Sequence, residues 1–250
     1  MPFLDLMQNF KLTIQYDGTN YHGWQMQANA RTIQGELTRV VSILDHRAVT
    51  IYGAGRTDAG VHAEAQIANF FAEREFEPRL LRDAINGNLE NDIRVLDVEP
   101  VPDSFNARFS AVQKTYLYRI WTADVLSPFL CRYVYHYRGE LDTEKMQRAS
   151  ESLLGRHDFT AFTVASSDAE DHIRTLICLK FEQQPNEISI FVTADGLLRY
   201  MVRTIVGTLV DVGRGKRTVA SVVEALESLD RSRSGPSAPA HGLTLISVDY

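Results

Sequence analysis

Phe10-Lys-Leu-Thr-Ile-Gln-Tyr-Asp-Gly18 sets the frame of the chain. Phe10, Leu12, Ile14 and Tyr16 alternate with Lys11, Thr13 and Gln15, the period-2 pattern of a strand with one buried face, and Asp17-Gly18 stops it as a turn. Beyond a loop, Ile33, Leu37, Val40, Val41 and Leu44 recur at helical spacing behind Thr32, a side chain suited to cap the first turn. Shorter strands are expected at 49–52 and 65–71. A helix opened by Pro78 and carried by Leu80, Leu81, Ala84 and Ile85 follows, then a strand through Ile93, Val95 and Leu96. The order is β-α-β-β-α-β, although the Ala-rich stretch 61–74 would suit a helix as well as a strand.

The second half repeats this order. Residues 112–121 are rich in aromatic and β-branched side chains and read as a strand; Met146, Ala149, Leu153 and Leu154 mark a helix behind Asp142. Residues 173–181 and 188–192 form a strand pair broken by Gln184-Pro-Asn186. A long helix carrying Leu198, Met201, Val202, Ile205, Val206 and Leu209 stops at Gly213, a further helix covers about 218–228, and 243–250 closes as a strand. Each half matches the ferredoxin-like βαββαβ unit. The expected fold is therefore α+β: two such units, 1–104 and 105–250, forming one extended, mostly antiparallel sheet with helices on one face and a central cleft. The one shift in composition is the Ser/Pro/Ala-rich loop at 231–240.

The chain has 250 residues, 44% hydrophobic and 23% charged, which excludes a disordered or fibrous protein. With 26 Lys and Arg against 32 Asp and Glu the net charge is −6, so charge alone does not point to nucleic acid. Cys131 and Cys178 form no C-x-x-C pair, which removes a disulfide framework and a cysteine zinc site and fits a reducing cytoplasm. The N-terminal residues, with Asp5 among them, do not read as an export signal. No apolar run approaches the roughly 18 residues of a membrane span.

The most unusual local stretch is Ile51-Tyr-Gly-Ala-Gly-Arg-Thr-Asp-Ala-Gly-Val-His62. Gly53, Gly55 and Gly60 allow positive φ and close approach to a ligand, and the turn displays one carboxylate, Asp58, behind Arg56 and Thr57. A plain Asx-turn aspartate is the simpler reading. A dinucleotide fingerprint fails where Asp58 replaces its third glycine, because a carboxylate would repel the pyrophosphate. The seven histidines show no metal-ligand spacing. Tyr116 and Tyr118 share one face of their strand by the period-2 rule, as core packing or as a base-stacking surface. Arg199 and Arg203 flank the apolar face of the long helix, either snorkelling or, at Arg203, reaching a buried carboxylate. Between 199 and 217, five basic residues face one acid, Asp211: a phosphate-binding stripe or an ordinary helix end.

These stretches together resemble the tRNA pseudouridine synthase A family. The resemblance runs nearly end to end, through Tyr16-Asp-Gly-Thr-Asn-Tyr-His-Gly-Trp-Gln25, Thr32-Ile-Gln-Gly35, Gly55-Arg-Thr-Asp-Ala-Gly-Val-His-Ala63, Phe105-Asn-Ala-Arg-Phe-Ser-Ala111, Lys114-Thr-Tyr-Leu-Tyr118, His157-Asp-Phe-Thr-Ala-Phe162, Met201-Val-Arg203 and Ala238-Pro-Ala-His-Gly-Leu243. It implies an isomerase converting uridine to pseudouridine at positions 38 to 40 of the tRNA anticodon stem-loop, as a cytoplasmic homodimer without cofactor or metal. Residue by residue, it implies that Asp58 is the nucleophile, that Tyr116 contacts the target base, that Arg203 pairs with the aspartate and that Leu243 lines the pocket. Leu197 stands where an aromatic is common and Ile33 where Val is common; the acidic loop at 168–171 is a place where members differ.

The chemistry suits these residue types. Moving the glycosidic bond from N1 to C5 is redox-neutral, so no electron carrier is called for. A carboxylate that attacks must be ionised, and a fixed cation such as Arg203 offsets the burial that would protonate it. A stacked uridine has to be flipped out, at a cost of a few kcal/mol that stacking on Tyr116 partly offsets, with Arg56 placed to guide or fill the vacated position. Leu243 would keep water from the intermediate. The competing reading from another class is a non-catalytic tRNA-binding module or RNA chaperone of the same fold; a nicotinamide-dependent oxidoreductase is a third.

Overall fold

The computed structural model describes residues 7–164 and 170–250. The initial hexapeptide of the export reading and part of the 168–171 loop lie outside the described residues. The fold is α+β, with ten strands and five α-helices among the described residues. The chain divides into two compact units, one running through Val112 and taking in Leu245–Tyr250, the other Gln113–Thr244.

In the first unit the order is β1 (Gln8–Tyr16), α1 (Ile33–Asp45), β2 (Tyr52–Gly53), β3 (His62–Ala72), α2 (Pro78–Gly87) and β4 (Ile93–Val101). β1 lies between β3 and β4, antiparallel to both, and β2 pairs with β3. The alternation in β1 holds: Phe10, Leu12 and Ile14 are fully buried while Lys11 and Thr13 are half-buried. α1 starts where the Thr32 hydroxyl accepts from the Gly35 N–H at 3.2 Å, and it buries Ile33, Leu37, Val40 and Val41. α2 has Pro78 in its first turn, with the Glu77 carboxylate accepting from the Arg79 and Leu80 N–H groups. The ambiguous stretch is a strand, His62–Ala72, paired with β1 from Gln8 to Tyr16 with one register shift between Ile14 and Tyr16. The strand expected at 49–52 shrinks to Tyr52–Gly53, because 49–51 make no ladder.

A polar chain closes the opposite face of β1. The Asn9 amide donates to the carbonyls of Pro102 and Phe105 at 3.0 and 2.9 Å, and its oxygen accepts from Asn69 at 2.9 Å. The Asn69 oxygen takes the Ala107 N–H at 2.8 Å. Both asparagines are fully buried, and each buried polar group that this chain satisfies avoids a desolvation penalty of about 1–3 kcal/mol.

The second unit contains β5 (Gln113–Trp121), β6 (Tyr135–His136), α3 (Thr143–Glu151), β7 (Gly155–Asp158), β8 (Ile173–Gln184), β9 (Glu187–Ala194), α4 (Met201–Gly213) and α5 (Ala220–Ser228), and β10 (Leu243–Asp249) begins in it. β5, β9, β8 and β7 pair antiparallel in that order, and β6 joins β5 in parallel. Two of these strands, β6 and β7, are too short to carry a periodic signal. α4 begins at Met201 rather than at 198, because Tyr200 takes a left-handed conformation, φ 62°, that interrupts the helical run.

α4 is seated on the Ser/Pro/Ala-rich loop by its backbone. A Cβ at Gly207 would lie 1.8 Å from the Pro236 carbonyl oxygen, the Gly235 N–H donates to the Thr208 hydroxyl at 2.8 Å, and the Thr204 and Ser237 hydroxyls meet at 2.9 Å. Gly to Ala in a helix interior ordinarily gains up to about 1 kcal/mol. At Gly207 that gain is outweighed by a clash with backbone, which costs about 3 kcal/mol. Gly207→Ala is therefore expected to lower stability by about 2 kcal/mol or more in urea unfolding, whereas Gly87→Ala, with open space around it, should be neutral or stabilising.

Candidate active site

The loop between β2 and β3 is held at several of its backbone groups. The Ala54 N–H donates to the Ile67 carbonyl at 2.7 Å, the Trp24 N–H to Thr57 at 3.0 Å, the Gly60 N–H to Tyr21 at 3.3 Å and the Val61 N–H to Asp58 at 3.1 Å. Side chains add two more ties. Gln66 Nε2 donates to the Gly55 carbonyl at 3.0 Å, and the Tyr16 and Thr57 hydroxyls are 2.8 Å apart. Burial pushes the Tyr16 phenol up to about 12, so it stays a protonated donor. Of the three loop glycines, Gly60 takes a positive φ, 78°; Gly53 is required for another reason, since a Cβ there would enter the Trp24 ring at 2.5 Å.

A second contact keeps the loop against the end of β1. Gly18 packs so closely that a Cβ would stand 2.0 Å from the Val61 carbonyl oxygen, and its N–H donates to Nδ1 of the buried His62 at 3.0 Å. On this fixed backbone Asp58 is half-buried and Arg56 exposed. That is a poised arrangement for a carboxylate, because loops are mobile unless their backbone groups are satisfied internally.

In the second unit, β5 pairs with β9 so that Tyr116 faces Val192 and Tyr118 faces Ile190. Both tyrosines are buried, Tyr116 at 6% exposure and Tyr118 fully. The Tyr118 hydroxyl is committed to the Pro239 carbonyl at 2.8 Å, and burial raises its pKa, aided by Tyr135 and opposed by Arg203. Leu243, also buried, opens β10.

α4 is buried along its whole length with one exception: every residue from Met201 to Gly213 is buried except Arg203. The Arg203 guanidinium lies 4.6 Å from the Tyr200 ring centroid, and its Nε donates to the Ala238 carbonyl at 2.8 Å. The Ala238 N–H returns a bond to the Arg203 carbonyl at 2.9 Å. Arg199 precedes the helix rather than sharing its face and lies 5.4 Å from the same ring. Tyr200 thus seats two cations. Sequence reasoning assigned no role to Tyr200, which adjoins the Met201-Val-Arg203 motif, or to His241, which lies inside the Ala238–Leu243 motif.

The basic run 214–217 has a different office. Arg214, Arg217 and Lys216 gather at 2.6, 3.3 and 3.9 Å around the carboxylate of Asp211, which is 1% exposed. Arg217 also donates to the Arg233 and Ser234 carbonyls. These cations organise the end of α4, and the helix-end reading describes them. Among the described residues no group of three His, Cys, Asp or Glu side chains is arranged to hold a metal ion, and no helix is long and apolar enough to cross a membrane.

A family model described as tRNA pseudouridine synthase matches residues 12–110 and 149–250. Proteins named tRNA pseudouridine synthase A resemble the chain over nearly all its length. That of Bacillus sp. (strain KSM-64) is 42% identical over 245 residues, covering 98% of this chain and 100% of the relative. That of Bartonella bacilliformis is 40% identical over 247 residues, and that of Acetivibrio thermocellus 41% over 244, each with the same coverage.

His241, on the turn before β10, supplies a pH test of the second unit. Burial first, and then the positive charge of Arg203, holds its pKa below the ordinary 6.5, while a bond to the Val134 backbone partly opposes them. Below about pH 6.5 the unfolded chain takes up a proton that the folded protein resists, so this group's stabilising effect is complete above that pH and is lost as pH falls toward the folded value. Urea midpoints at pH 7.5 and 5.5 should show a larger drop for the native protein than for His241→Gln; equal drops would remove His241 as the source.

Proposed function

The chain belongs to the tRNA pseudouridine synthase family, and from that premise we propose how its residues divide the work. The protein is an isomerase that converts uridine in tRNA to pseudouridine. The N1–C1′ bond breaks, the base turns, and C5 joins C1′ with loss of the C5 hydrogen. Asp58 is the nucleophile, adding either to C1′, which holds the ribose and frees the base to turn in the pocket, or to C6, which holds the base itself while it turns. What supports this most is the tied-down loop, which presents a single half-buried carboxylate from a backbone hydrogen-bonded at Ala54, Gly55, Thr57, Asp58, Gly60 and Val61.

Arg203 supplies the fixed positive charge that an ionised nucleophile needs. Its guanidinium plane is set by Tyr200 and by Ala238, an orientation that a lysine ammonium cannot copy. Tyr116 receives the flipped base, Arg56 guides it from the exposed side of the loop, and Leu243 excludes water. The unit through Val112 carries the nucleophile, and the unit that follows carries the base-contacting and charge-supplying residues. The target is the anticodon stem-loop at positions 38 to 40, and the working form is a cytoplasmic homodimer. The non-catalytic reading gains nothing from a chain that retains Asp58, Tyr116 and Arg203.

Release of tritium from tRNA labelled at uridine C5 tests the reaction directly, since the new C5–C1′ bond expels that hydrogen. Native protein should release it and Asp58→Asn should fall to background while still binding tRNA within a few-fold; turnover by that variant would remove Asp58 from the mechanism. Arg203→Lys should lose about 10–100-fold in kcat, the worth of a charge-assisted hydrogen bond of about 1.5–3 kcal/mol, and unchanged turnover would refute its role.

A further inference from the structure

Gln66 lies in the middle of β3 and is fully buried. Its amide orientation is fixed by its partner: Nε2 stands 3.0 Å from the Gly55 carbonyl oxygen, which can only accept, so the nitrogen must point there. Turning the amide would set Oε1 against that carbonyl oxygen, acceptor against acceptor. The consequence is that Oε1 is buried without a hydrogen-bond partner. A buried acceptor without a donor is a standing loss of stability, and native proteins keep few of them.

The same Nε2 is 3.5 Å from the Tyr16 hydroxyl, which meets the Thr57 hydroxyl at 2.8 Å. With Gln66 as donor at one end, the Tyr16 proton is directed to Thr57. Gln66 and Tyr16 therefore grip the loop at Gly55 and at Thr57, on either side of Arg56 and immediately before Asp58. Neither grip is needed to close the sheet, since β1 and β3 are paired by their own ladder from Gln8 to Tyr16. The fold bears an orphaned acceptor at this position, and what it obtains in return is the placement of the 55–58 backbone.

We propose that Gln66 and Tyr16 are positioning residues for Asp58: a buried clamp retained at the expense of stability to hold the loop in its reactive geometry. This rests on the reading of Asp58 as the nucleophile. A structural residue and a positioning residue make opposite predictions here. Gln66→Met preserves the length of the side chain and removes both the orphaned oxygen and the tie to Gly55.

The experiment compares native protein, Gln66→Met, Tyr16→Phe and Asp58→Asn by tritium release at varied tRNA concentration and by thermal unfolding. The expected result for Gln66→Met is a kcat lower by about 10–100-fold, the scale of a misplaced reacting group, with KM for tRNA within about two-fold and Tm equal to or above native. Tyr16→Phe should lower kcat in the same direction with KM unchanged, and it decides the matter if Gln66→Met does not fold. Unchanged kcat in the folded variants overturns the proposal. So does a Gln66→Met Tm that falls with kcat, which marks a residue serving only the fold. Inactive Asp58→Asn beside fully active clamp variants would reject the clamp alone; active Asp58→Asn would reject the nucleophile and the clamp with it.

Discussion

The structure depends on two places where backbone meets backbone with no room for a side chain between them. In the first unit, Gly18 at the end of β1 touches the Val61 carbonyl, and around it the segment 18–24 exchanges hydrogen bonds with the loop 57–61. In the second, Gly207 of α4 touches Pro236, and beside it the Ala238 N–H donates to the Arg203 carbonyl while the Arg203 Nε donates to the Ala238 carbonyl. Each contact converts a segment that would otherwise be a mobile connection into a rigid mount. Each mount then carries a charged side chain, Asp58 in one case and Arg203 in the other, whose proposed chemistry depends on being held at a fixed position.

Rigidity has been obtained by different means in the two cases. The Asp58 loop is short and glycine-rich, so its own amides and carbonyls do most of the work, with Gln66, Tyr16 and Trp24 closing around them. Arg203 is instead the one incompletely buried residue of an otherwise submerged helix, and its plane is fixed by an aromatic ring and a carbonyl. Tyr200, which supplies that ring, adopts a left-handed conformation costing of order 1–3 kcal/mol for a residue with a Cβ.

Much of this was legible in the sequence, for reasons that are local. The alternation from Phe10 to Tyr16, the Thr32 and Asp142 caps and Pro78 at a helix start each involve residues close together in the chain, and each is where pattern reading puts it. The loop with Asp58 stood out because three glycines and a carboxylate in one turn are rare. What escaped detection is long-range. No periodicity announces that Asn9 and Asn69 will meet, that 155–158 will find β8, or that Tyr200 will break the helical run before Met201. Net charge misled for the same reason, since it counts residues without regard to their partners.

The three cations around Asp211 have a consequence for how the protein meets its substrate. Basic residues aid RNA binding largely by displacing condensed cations from phosphates, and each phosphate so neutralised steepens the fall of affinity with salt. Arg214, Lys216 and Arg217 already have a buried carboxylate as their counter-charge. One carboxylate compensates only one of their three charges, so the salt sensitivity of tRNA association reflects fewer net charges than the basic run from 199 to 217 suggests.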